Sequence, residues 1–219
     1  MNDKNIHIQR LLSSGILGFL KLPTAGYAVK TVRALYEGGI RIVEFSMSMG
    51  DCLKALVETK RVFGPSMSIG VGTVLDADSA VNAIDAGADF IVSPFEVKEV
   101  ANIVQKNDIP MIPGAMTPGE VFRAYSNGAE IIKLFPGGVL GANYIKALKA
   151  PYPNIPLMPD GGVNLSNAEE LMRAGSTALG VGSGLVQIKT IESGDYVKIS
   201  ETAEKFLAII HKIKSHDSV

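Results

Sequence analysis

Ser126-Asn-Gly-Ala-Glu-Ile-Ile-Lys-Leu134 joins a turn glycine to a short apolar run that carries one lysine. Three other stretches share this plan: Glu37-Gly-Gly-Ile-Arg-Ile-Val-Glu-Phe45, Asp85-Ala-Gly-Ala-Asp-Phe-Ile-Val-Ser93 and Arg173-Ala-Gly-Ser-Thr-Ala-Leu-Gly-Val181. In each, an amphipathic stretch ends at a glycine and an apolar run follows, the pattern of a helix C-cap feeding a buried strand. Gly39, Gly87, Gly128 and Gly175 recur at intervals of roughly 40 to 50 residues, about twice one compact βα unit.

The intervening strands are also legible. Met67-Ser-Ile-Gly-Val-Gly-Thr73, Ile109-Pro-Met-Ile-Pro-Gly114 and Ile155-Pro-Leu-Met-Pro-Asp-Gly161 are short apolar runs, and Ile16 to Leu20 supplies the first strand. Helical patterns cover 25–37, 51–62, 76–86, 97–106, 118–126, 142–150, 166–174 and 199–213. Strands alternating with helices in this way predict an α/β fold with a parallel sheet. At this length the expected form is a (β/α)8 TIM-type barrel, one domain over residues 1–219. A doubly wound open sheet is the alternative, but neither a GxGxxG element opening a helix nor a Walker A loop supports it.

Composition narrows the function. The chain is 47% hydrophobic and 20% charged with a net charge of -1, which leaves no electrostatic footprint for nucleic acid or an anionic membrane. No apolar run reaches the roughly 18 residues that span a bilayer. Met1 to Arg10 lacks a signal peptide's apolar segment. The lone Cys52 cannot form an intrachain disulfide, so a cytoplasmic setting is expected, and with no histidine near it in sequence it reads as a helix residue without a role. His7, His211 and His216 lie in the terminal segments and form no metal-ligand cluster, which disfavours metal-dependent chemistry.

Barrel enzymes place their chemistry at the C-terminal ends of the strands. The candidates there are Lys21, Glu44, Thr73, Ser93, Gly114, Lys133, Asp160 and the pair Gly182-Ser183. Lys133 stands out because a barrel strand is buried on both faces. Burial is expected to lower its pKa and yield the free amine that attacks a ketone, unless its ammonium snorkels to solvent. Glu44 shares a face with Ile42, and Lys133 with Ile131. If both faces point inward, the two charges converge, and Glu44 either shuttles protons or simply pairs with Lys133. Gly161-Gly162 and Gly182-Ser183 follow the last two strands, where backbone N–H groups can build an anion site.

Gly128-Ala-Glu-Ile-Ile-Lys-Leu-Phe-Pro136 resembles the Schiff-base strand of the 2-keto-3-deoxy-6-phosphogluconate (KDPG) and 4-hydroxy-2-oxoglutarate (KHG) aldolases. The resemblance extends over most of the chain, through 39–44, 72–74, 86–94, Ile112-Pro-Gly114 and Gly182-Ser183. It implies a class I aldolase, a lyase that cleaves a 2-oxo-4-hydroxy acid to pyruvate and an aldehyde. Lys133 would form the imine and Glu44 would transfer protons; Thr73, Pro94 and Phe135 would line the pocket, and Gly161, Gly162, Gly182 and Ser183 would hold a phosphate. No metal or organic cofactor is implied, and relatives are typically homotrimers. Two positions depart from the pattern. Ser48 stands where many relatives carry a carboxylate-binding Arg, a charge for which Lys21 is the candidate replacement, and Asp160 stands where relatives often have Thr. A phosphosugar isomerase or epimerase with Glu44 as base, and a catalytically silent ligand-binding relative, remain alternatives on the same barrel.

Overall fold

A computed structural model describes residues 3–216; Met1, Asn2, residues 217–219 and the side chains of residues 3–5 and His216 lie outside the described residues. The elements run α1 (Asp3–Ser14), β1 (Ile16–Leu20), α2 (Ala28–Glu37), β2 (Ile42–Ser46), α3 (Cys52–Phe63), β3 (Ser68–Gly72), α4 (Ala77–Asp85), β4 (Ile91–Val92) and α5 (Lys98–Lys106). The second half continues β5 (Met111–Ile112), β6 (Gly114–Ala115), α6 (Pro118–Ser126), β7 (Ile132–Leu134), α7 (Gly137–Lys149), β8 (Leu157–Pro159), α8 (Ala168–Arg173), β9 (Leu179–Val181), α9 (Ile188–Glu192) and α10 (Tyr196–His216).

The repeat glycines end their helices as the sequence pattern requires. Gly39, Gly87, Gly128 and Gly175 have φ of 94°, 87°, 90° and 103°, a region that a side chain disfavours. The next N–H folds back onto the last turn, as in Ile40 N to Leu35 O (2.9 Å) and Ala88 N to Ala83 O (3.0 Å). These caps turn α2, α4, α6 and α8 sharply into the strands that follow.

All strand pairs are parallel. One sheet runs β5-β4-β3-β2-β1-β9 and a second runs β6-β7-β8. The sheets join into one barrel at two places. β5 and β6 are halves of a single barrel strand broken at Pro113, whose carbonyl still accepts from Lys133 N at 3.0 Å. At the other seam Thr177 N donates to Leu157 O at 2.8 Å, linking the approach to β9 with β8. The expected TIM-type barrel therefore forms, with its fifth strand split because proline has no N–H to offer the ladder.

Alternate strand residues fill the interior. Leu17, Ile42, Phe90, Val92, Ile112, Ile131, Met158 and Ala178 form one buried cluster, each large member contributing about 1.5–3 kcal/mol. The larger cluster lies between the barrel and its helices. Two helices were not legible in the sequence. In α1, Ile8 and Leu11 join the interior cluster, and His7 Nδ1 lies 2.8 Å from Ser68 Oγ at the start of β3, so this helix closes the N-terminal end. α9 is a short helix after β9. α7 starts earlier than the expected residue 142, because 137–140 form a first turn before a break at Gly141, whose φ of 79° is not helical.

Gly114 opens β6 where a Cβ would sit 2.1 Å from Pro94 O, a backbone atom that cannot yield. We expect Gly114→Ala to lose about 2–3 kcal/mol of unfolding free energy in urea. Gly119→Ala, where a Cβ meets nothing within 4 Å, should instead be neutral or stabilising by about 0.5–1 kcal/mol.

Candidate active site

Ile42 and Ile131 both belong to the interior cluster. Glu44 and Lys133, two residues on in β2 and β7, therefore enter the barrel from those same faces, one level nearer the C-terminal mouth. Asp160 follows Met158 by the same step, just past β8. The three side chains meet. Lys133 Nζ lies 2.5 Å from Asp160 Oδ2 and 3.5 Å from Glu44 Oε1. Exposure is 0% for Glu44, 4% for Lys133 and 5% for Asp160. Two glycines make the room: a Cβ at Gly72 would come within 2.7 Å of Glu44 Cδ, and one at Gly180 within 2.8 Å of Asp160 Cγ.

This grouping sets the protonation states. Burial raises the Glu44 pKa to about 7; the Lys133 charge opposes that rise and Asp160 adds to it. One Glu44 oxygen, Oε2, is buried with no hydrogen-bond partner. Burial likewise opposes the charge on Lys133, but the carboxylates of Glu44 and Asp160 outweigh it and hold its pKa above the ordinary value. The expectation that burial would leave a free amine is therefore corrected: the resting side chain is an ammonium. Asp160 is a main reason, and its inward course was not foreseen. Snorkelling is excluded too, since the amine is buried.

A cavity of about 820 Å³ opens over Lys133 at the C-terminal ends of the strands. Of the residues expected at the site, Lys21, Thr73, Pro94, Lys133, Phe135, Gly161, Gly162, Gly182 and Ser183 all line it. Glu44 is not on the wall; it is fully buried and touches Lys133. Ser93 and Gly114, two further strand-end candidates, lie off the wall as well. Phe19 and Phe135 flank the amine, their ring centroids 5.4 Å and 5.5 Å from Nζ. Phe19 was open to the same alternation argument as Glu44, since Leu17 points inward. Gln187, Ile188 and Lys189 also line the cavity, but α9 is too short to show a period.

Near the mouth, hydroxyls form a chain. Ser46 Oγ lies 2.8 Å from Ser48 Oγ and 2.9 Å from Thr73 Oγ1. Thr73 holds a φ of 59°, strained for a β-branched residue. Asp160, standing where relatives often have Thr, is held at both oxygens: Oδ1 accepts the Gly161 N–H at 2.6 Å while Oδ2 faces Lys133. Cys52 is inert as read, buried with its thiol pushed up to about 12 by burial and by the charges of Asp51 and Glu44. Among the described residues no three His, Cys, Asp or Glu side chains are grouped to hold a metal ion, and no helix is long and apolar enough to cross a membrane.

Residues 8–202 match the family model for KDPG and KHG aldolase. The chain is 32% identical to the 2-dehydro-3-deoxy-phosphogluconate aldolase of Treponema pallidum strain Nichols, over 84% of this chain and 87% of that protein. It is 29% identical to the KHG/KDPG aldolase of Escherichia coli K12, over 94% and 97%. Among solved structures it resembles the KDPG aldolase of Legionella pneumophila with pyruvate captured at low pH as a covalent carbinolamine intermediate. That match has a TM-score of 0.83 and 28% identity, over 89% of this chain and 95% of the other.

The raised pKa of Glu44 has a consequence for stability. Between its ordinary value of 4.5 and about 7 the folded state keeps a proton that the unfolded state has lost. Stability therefore falls as pH rises through that window. Glu44→Gln lacks this dependence. From pH 4.5 to 7.5 the parent should lose ground to Glu44→Gln by on the order of 3 kcal/mol in urea unfolding; a constant difference would mean that Glu44 is already ionised at the lower pH.

Proposed function

This chain belongs to the KDPG and KHG aldolase family and is a lyase, and we propose that it works through an imine on Lys133. The reaction is cleavage of a 2-oxo-4-hydroxy acid to pyruvate and an aldehyde. One observation carries the proposal: a lysine buried in the barrel, with a carboxylate on either hand, forms part of the wall of the cavity of about 820 Å³ at the strand ends. A buried structural lysine would have no reason to present its amine to a cavity. The family match favours this reading over an isomerase or a silent binder.

The steps follow from the groups present. Lys133 gives an ammonium proton to Glu44, whose pKa of about 7 suits it to taking and returning protons near neutrality. The freed lone pair adds to C2 of the substrate. The former carbonyl oxygen takes one proton from the nitrogen and one from Glu44 and leaves as water, and an iminium remains. The C3–C4 bond then breaks as the C4 hydroxyl loses its proton to the Glu44 carboxylate. Its electron pair passes into the iminium, forming an enamine, and the aldehyde departs. Glu44 protonates the enamine at C3, water adds to C2, and pyruvate and the amine of Lys133 are released.

Substrate recognition is assigned to the cavity wall. Gly161, Gly162, Gly182 and Ser183 supply the subsite for a phosphate, and the cations Lys21 and Lys189 on the same wall favour an anion there. KDPG, or an analogue such as 4-hydroxy-2-oxoglutarate, fits that arrangement. The substrate carboxylate meets Thr73 and its hydroxyl chain, with Lys21 in place of the arginine absent at Ser48. Phe19, Phe135 and Pro94 enclose the reacting carbons. We place the enzyme in the cytoplasm, where the lone buried thiol of Cys52 stays reduced. We also propose a homotrimer, supported by exposed Phe95 and Met116 beside the ends of adjacent strands and by exposed Phe122 on α6.

Borohydride added with pyruvate should leave one reduced pyruvate on Lys133, found by peptide mass spectrometry. Lys133→Ala should show neither labelling nor pyruvate release, and Glu44→Gln should lower kcat by about 10²–10⁴-fold. Full activity in Lys133→Ala, or an unlabelled parent enzyme under turnover conditions, would overturn the assignment.

A further inference from the structure

Asp160 lies closer to the reacting nitrogen than Glu44 does, at 2.5 Å against 3.5 Å. The two carboxylates are also held differently. Both oxygens of Asp160 are engaged, Oδ2 by Lys133 Nζ and Oδ1 by the Gly161 N–H at 2.6 Å. Glu44 keeps one oxygen, Oε2, with no partner. A carboxylate with both oxygens bonded to donors is held in place, whereas one with an unpartnered oxygen is free to take and return a proton there. Gly180 on the neighbouring strand β9 leaves room for Asp160, since any Cβ there would meet its Cβ and Cγ at 2.8 Å.

We propose that Asp160 is a catalytic residue of this chain, the counter-ion of the Lys133 iminium, while Glu44 alone moves protons. The inference rests on the imine reading above. When Nζ adds to C2 and water leaves, the nitrogen retains one N–H and a positive charge, and Asp160 Oδ2 is already at hydrogen-bond distance from it. The ion pair keeps the iminium protonated, and only the protonated form accepts the electron pair of the breaking C3–C4 bond. A threonine, the residue that relatives often carry here, offers a hydroxyl but no charge. Asp160 thus adds a charge on the iminium where a hydroxyl would offer only a hydrogen bond.

The test is reductive trapping of pyruvate on Lys133 with cyanoborohydride, which reduces the protonated imine, measured against pH in the parent, Asp160→Asn and Asp160→Thr. The charged groups around the nitrogen are Glu44 from β2 and Asp160 after β8, with Lys21 and Lys189 on the cavity wall. Removing the Asp160 charge should move both limbs of the trapping profile to lower pH, by about 1–3 units. At the alkaline end this is about 10- to 1000-fold less trapping. Asp160→Asn preserves shape; should it fail to fold, Asp160→Thr, the residue that relatives often carry here, gives the same readout. Limbs that stay in place, with trapping unchanged or lowered equally at every pH, would overturn the counter-ion role. An unlabelled parent would instead overturn the imine itself, so the two failures are distinguishable.

Discussion

An ammonium inside a barrel must be compensated where it stands. Removing a charge from water costs several kcal/mol, and the interior around Lys133 is otherwise Leu, Ile, Val, Phe and Met. The chain meets this cost with two carboxylates, Asp160 at contact distance and Glu44 one step further. Glu44, fully buried, holds a proton until about neutral pH, chiefly because burial disfavours its charge, with Asp160 adding to the rise against the pull of Lys133. The same balance that makes the lysine tolerable in the core also makes Glu44 a proton carrier poised near neutrality.

The barrel supports that balance through its small residues as well as its large ones. Gly72 and Gly180 sit opposite the two carboxylates and leave them room. Below this level the large residues of the interior cluster close the barrel, and α1 covers its N-terminal end with Ile8 and Leu11. Charge is thus confined to one layer, with apolar packing beneath it and a cavity above. Phe19 and Phe135 on either side of the amine limit water around it and strengthen each electrostatic contact.

Much of this was legible in the residues. The recurring glycines and apolar runs specify helix ends and buried strands, and alternation from Ile42 and Ile131 puts Glu44 and Lys133 inside. Most site residues expected from strand ends and from family resemblance line one cavity; Glu44 lies beneath it, and Ser93 and Gly114 lie off its wall. What escaped sequence reading has physical causes. α9 is too short to carry a period, and α1 was hidden because its apolar positions face the end of a barrel rather than the flank of a sheet. The state of Lys133 was misjudged because burial and neighbouring charge act in opposite directions, and the decisive neighbour is distant in sequence.

Local pattern by itself determined the alternation of strands and helices, the glycine caps and the inward faces of Glu44 and Lys133, because each depends on residues within a few positions of one another. Only the tertiary structure decided that Asp160 turns inward to Lys133, that Gly72 and Gly180 serve carboxylates rather than turns, and that the lysine rests charged. Those outcomes depend on distances between strands, beyond the few positions over which a local pattern can be read. A few ångströms there decide whether burial strips an amine of its charge or neighbouring carboxylates hold it in place.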